Sequence, residues 1–267
     1  MNKPLDTLKE MILLEMRVQR RNPIWMISIA AAALLGFSES FTAGVLDWPT
    51  TNQAFRAYQL GCVMIFGVMT FLLTAGALSR DLSDGRKDLI LCRPINPWIY
   101  ICGKYLGNIL FVLCINILFM VSFLAIPLFY GQSSIYPLRP FLYVMFFSTL
   151  PTILYCGALA VFLMCLSRKV IVALPVFLVY FLGVALFRIP ETLRGKALDV
   201  DMWDFSMRLY PHGISATVGA STLYDMSFSH LLQPPVPELY ARAALYSALA
   251  PVLVAISVLL LKRMRNS

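Results

Sequence analysis

The sequence predicts an all-α integral membrane protein with six transmembrane helices and an amphipathic helix ahead of the first. Three observations predict it. Apolar residues make up 59% of the chain and charged residues only 13%, where soluble domains carry roughly 45–50% and 25%. The apolar residues come in blocks long enough to cross a bilayer, for which about 20 residues suffice. The basic residues, finally, gather in alternate connections between those blocks. With a mean hydropathy of +0.75, the whole chain 1–267 reads as a single membrane domain.

The segment 1–23 reads as an interface helix on the membrane surface, with Leu5, Leu8, Ile12 and Met16 recurring at helical spacing and Lys9, Arg17 and Arg20 left for headgroups or a partner. Pro23 then breaks it ahead of the first span. Apolar blocks follow near 24–45, 58–79, 99–130, 141–166, 170–187 and 239–261. The third has 32 residues, more than a crossing needs, so its first turns around Lys104 are placed in the headgroup region and Pro127 marks its far end.

An even number of spans puts both termini on one side, and 15 of the 22 basic residues fall there. Both termini are therefore expected in the cytoplasm. Counting acids as well, the inner side carries +9 and the outer side −1, so the net +8 reflects orientation and attraction to anionic lipid. No nucleic-acid partner is expected. Met1 to Arg21 is largely polar and runs on into the spans, so no cleaved leader is expected either. Cys62, Cys92, Cys102, Cys114, Cys156 and Cys165 read as small core residues, since none forms a C-x-x-C pair.

From Tyr58 onward no block has a carboxylate in its interior. Carriers driven by ion gradients place acids at mid-membrane depth, so an activity here needs another energy source. Glu39 is the one acid near a span, and it reads as an outer-interface residue.

The connection 80–98 between the second and third blocks is short and heavily charged. Ser83 or Asp84 can cap a helix there and Pro94 ends it, leaving one or two turns in which Leu89, Ile90 and Leu91 form an apolar tip rimmed by Arg86, Lys87 and Asp88. That composition suits a protein contact. Asp81-x-x-Asp84-Gly85 also matches the opening of the signature of membrane CDP-alcohol phosphotransferases. The remaining carboxylates of that signature are missing, and two alone make a poor divalent-metal site.

The run from Arg80 to Gly107 resembles the permease subunits of ABC-2 type ATP-binding cassette transporters. The resemblance lies in Arg80-Asp81, Gly85, Leu89-Ile90-Leu91, Arg93-Pro94 and Gly103-Lys104, and earlier in Glu15-x-Arg17 and Arg21-Asn22-Pro23. Arg86 stands where many members have Thr, and Asp81 where Glu is usual. The resemblance implies a short cytoplasmic coupling helix, with Asp81, Asp84, Gly85, Arg86, Lys87, Asp88, Leu89 and Arg93 meeting a separate nucleotide-binding ATPase subunit. It implies an interface helix carrying Glu15, Arg17, Arg20 and Arg21. It also implies a second permease subunit, identical or not, and a place in the bacterial cytoplasmic (inner) membrane. Gly103-Lys104 lacks the upstream Gly of a phosphate-binding loop, so no cofactor is expected in this chain, and ATP and Mg are expected on the partner.

The extracytoplasmic segment 188–238 holds Trp203, Phe205 and Tyr210 ahead of Pro211. Aromatic residues are ordinary interface anchors. The resemblance implies instead a re-entrant outer loop that caps a translocation path before the last span. Met202, Met207, Met226, His212 and His230 lack the tight spacing of a soft-metal site. Two readings from different classes therefore stand beside the enzyme: the path-forming subunit of an exporter, and a membrane protein that recruits or regulates a cytoplasmic partner without transporting anything.

Overall fold

A computed structural model of the protein describes residues 4–21, 29–30, 33–34, 51–82, 96–129, 145–188 and 237–266. Everything described is helical or a short link between helices. The elements are α1 (Pro4–Arg21), α2 (Thr51–Leu82), α3 (Pro97–Phe129), a π-helical turn (Met145–Thr149) running into α4 (Leu150–Ser167), α5 (Val170–Arg188) and α6 (Pro237–Asn266). Among the described residues, four stretches are long and apolar enough to cross a membrane: Ile65–Leu82, Pro97–Ser122, Leu150–Ser167 and Ala244–Met264. The predicted first block lies outside the described residues apart from two fragments of helix, and in α5 a shorter apolar stretch, Val170–Tyr180, is described.

α4 is the central element, packed against α2, α3, α5 and α6. Small residues make this possible. Gly157, Ala158 and Ala160 are buried, and a Cβ on Gly157 would sit 3.3 Å from Thr70 on α2 and 3.3 Å from Tyr105 on α3. Between apolar helices in lipid, close packing takes over from the hydrophobic effect as the driving force. Large rings fill what the small residues leave: Phe71 of α2 stacks on Phe177 of α5 at 3.9 Å, and Phe66 of α2 meets Phe119 of α3 edge-on at 5.6 Å. Both pairs are buried.

Pro151 stands near the start of α4, directly after the widened turn. Its other end is a tight reversal. Arg168 takes a left-handed conformation (φ 58°) and donates its N–H to the Met164 carbonyl at 2.9 Å. The Lys169 carbonyl then accepts the first N–H groups of α5 from Val172 and Ala173. A polar crossing point therefore costs only two residues, both basic. Cys102, Cys114, Cys156 and Cys165 are free.

Candidate functional site

α1 lies along the first turns of α3, running in the same chain direction. Met11 sits on Gly103 and Glu15 on Gly107, and Gln19 reaches Asn108. The two glycines, four apart, form the floor of the contact. A Cβ at Gly103 would come within 2.7 Å of Met11 Cβ, and one at Gly107 within 2.9 Å of Glu15 Cβ. Neither gap admits a side chain, so the G-x-x-x-G spacing sets how closely the two backbones approach.

The start of α3 is fixed locally. Asn96 accepts the Trp98 N–H on its side chain at 3.0 Å and the Tyr100 N–H on its carbonyl at 3.1 Å. Pro97 occupies the first helical position, so Asn-Pro acts as an N-terminal cap. From that fixed start Tyr100, Lys104 and Asn108 follow at intervals of four and share one face.

On that face the charges of three helices meet. Lys104 Nζ donates to Glu15 Oε2 of α1 at 3.0 Å and to Asp81 Oδ2 in the last turn of α2 at 2.8 Å. The Tyr100 hydroxyl donates to the same Asp81 oxygen at 2.7 Å. A second layer continues the network: Gln19 Nε2 donates to Asn108 Oδ1 at 2.6 Å and to Glu15 Oε1 at 3.3 Å, and Asn108 Nδ2 donates to the Lys104 carbonyl at 2.8 Å. Glu15 and Lys104 are only 5% and 8% exposed, and Asn108 is fully buried.

One ammonium between two carboxylates leaves the cluster with a net negative charge. Its hydrogen bonds offset the cost of removing these ions from water, and charge-assisted bonds are roughly twice as strong as neutral ones. Chemically, the arrangement is a brace. The ammonium is held between two acids, and every group in the cluster is engaged in joining helices.

The structure therefore places the sequence-selected residues unevenly. Glu15 and Asp81 come together through Lys104. Arg17, Arg20 and Arg21 stay on the exposed side of α1. Asp84, Gly85, Arg86, Lys87, Asp88, Leu89 and Arg93 lie outside the described residues, as do Trp203, Phe205 and Tyr210. One expectation is corrected. Arg80, Asp81 and Leu82, assigned to the connection, are the end of α2, because Asp81 is held in register by Lys104 and Tyr100. Lys104 is enclosed by protein, with its ammonium held between Glu15 and Asp81. The face of α1 that turns into the protein is centred on Met11, Glu15 and Gln19, while Leu5 is 75% exposed. Tyr100, Gln19 and Asn108 were not foreseen. Their signal is the four-residue spacing of polar groups, Glu15 with Gln19 and Lys104 with Asn108, on helices otherwise read for their apolar positions.

Comparison with models of known protein families gives no match, and comparison with curated proteins gives none either.

Proposed function

We propose that this chain is the membrane-spanning subunit of an ABC-2 type exporter, a six-span unit that pairs with a second permease subunit and with a separate ATPase. In this reading both termini and the segment 83–95 face the cytoplasm of a bacterium, and 189–236 lies outside. One observation supports it above the others. The ion cluster binds the last turn of the helix before segment 83–95 to the first turns of the helix after it, and binds both to α1.

A loop rooted in two unconnected helices would absorb a push by flexing. With Asp81, Tyr100 and Lys104 joined, the two roots move as one body, and Glu15 carries α1 with them. That is the mechanical requirement for an ATPase closing on the loop to move the spans. ATP and Mg would be held by the partner, and the spans would form the path between two subunits. The near absence of acids within the spans supports an energy source other than an ion gradient.

The test is to purify the full-length protein from native membranes beside a Leu89→Asp variant of equal membrane abundance. The wild type should bring down a chain with a G-x-x-x-x-G-K-[ST] motif whose ATP hydrolysis drives transport in vesicles. The variant should lose that chain, because an unpaired charge buried in a contact typically costs several kcal/mol. Transport sustained by a proton or sodium gradient alone overturns the reading. A partner recruited without any nucleotide-driven transport favours the regulatory alternative.

A further inference from the structure

A cleft of about 330 Å³ opens between the second half of α1 and the middle of α3, with Ile29 also at its edge. Its floor is Phe111 and Ile115, both buried. Leu13 and Met16 of α1 form one wall, and Cys114 stands at the mouth. Among the described lining residues, Arg17 and Arg20 carry the charge. They are three apart, on adjacent turns of α1, so they flank the same opening. Neither has an ion-pair partner among the described residues.

The surroundings of the mouth show what can enter. Leu110, Cys114, Ile117 and Val121 form an exposed apolar stripe along α3, within the stretch Pro97–Ser122 that is long and apolar enough to cross a membrane. Cys114 belongs both to this stripe and to the cleft, so the cleft is continuous with that apolar surface. Its occupant must therefore be apolar along most of its length and negative at one end. A free phosphate leaves the floor unfilled, and a zwitterionic lipid brings a positive group to two arginines. Basic pockets between membrane helices favour anionic headgroups, and the volume lies within the range of small-molecule sites. We infer that this cleft binds an anionic phospholipid, with one acyl chain against Phe111 and Ile115 and the phosphate between Arg17 and Arg20. The inference does not depend on the exporter reading, since it needs only that α3 is in a bilayer.

The experiment titrates delipidated full-length protein in detergent with phosphatidylglycerol, phosphatidylcholine or inorganic phosphate and reads bound species by native mass spectrometry. Phosphatidylglycerol should remain bound one to one, well above phosphatidylcholine. Replacing both arginines (Arg17→Gln with Arg20→Gln) should weaken it about 30-fold, at about fivefold per basic residue. Because changes on α1 can loosen the helix, Cys114→Phe on α3 is the second arm, filling the cleft while keeping both arginines; it too should release the lipid. Equal binding of the two lipids, complete displacement by inorganic phosphate, or wild-type binding by the Cys114→Phe protein overturns the assignment.

Discussion

Replacing Lys104 by methionine keeps the length of the side chain and removes the one cation of the cluster. Glu15 Oε2 and Asp81 Oδ2, held at 3.0 and 2.8 Å from that nitrogen, would then face each other with no charge between them. Removing one partner of a buried ion pair costs about 3–5 kcal/mol, because the remaining charge is buried unpaired. Here two carboxylates are stranded, so the upper end applies. For a chain of this size such a loss lowers the melting temperature by roughly 10–20 °C. The assay is thermal unfolding of the purified protein, followed by size-exclusion chromatography after heating, with tryptic cleavage at Arg17, Arg20 and Arg21 as a separate report on α1. Lys104→Met should melt early and expose those sites. Combining it with Glu15→Gln and Asp81→Asn removes all three charges at nearly constant shape, and should recover most of the loss. An unchanged melting temperature in Lys104→Met would refute the cluster as a brace. A triple variant no better than the single one would show that shape, and not charge imbalance, carries the effect.

Gly103→Ala should detach α1 without touching any charge, since its Cβ would lie 2.7 Å from Met11 Cβ; faster trypsin cleavage in α1, at unchanged membrane abundance, is the readout. Phe177→Ala removes the ring stacked on Phe71 at 3.9 Å. The same change in a water-surrounded core costs about 3–5 kcal/mol, and in lipid the transfer part falls away, so a measurable but smaller loss of thermal stability is expected. A cysteine introduced at Asp84 in a cysteine-free background should react with impermeant maleimide only after the cells are opened, whereas modification from outside would reverse the orientation inferred from the basic residues.

The membrane character of the chain was legible in the sequence because it depends on runs of residues and not on their partners. An apolar block such as 99–130 must be a helix in lipid, where each backbone N–H and C=O needs an internal partner. The structure puts α3 at Pro97–Phe129, within two residues of that block at its start and one at its end. The ends of elements were harder. Arg80, Asp81 and Leu82 read as loop because they are charged or follow charge, yet tertiary contacts from Lys104 and Tyr100 keep them helical.

The ion cluster marks the limit more sharply. Glu15, Asp81 and Lys104 were each singled out in the sequence, but nothing local says that positions 15 and 81 converge on 104. Helical spacing relates residues three or four apart, whereas these pairs are separated by 89 and 23 positions in the chain. Their meeting depends on how closely α1 can approach α3, which Gly103 and Gly107 decide by leaving no Cβ in the way. The sequence by itself determined the helical class of this protein and the apolar runs long enough to cross a membrane. Only the tertiary structure decided which charges are buried together, because desolvating an acid is tolerable only where a distant helix delivers its counter-ion.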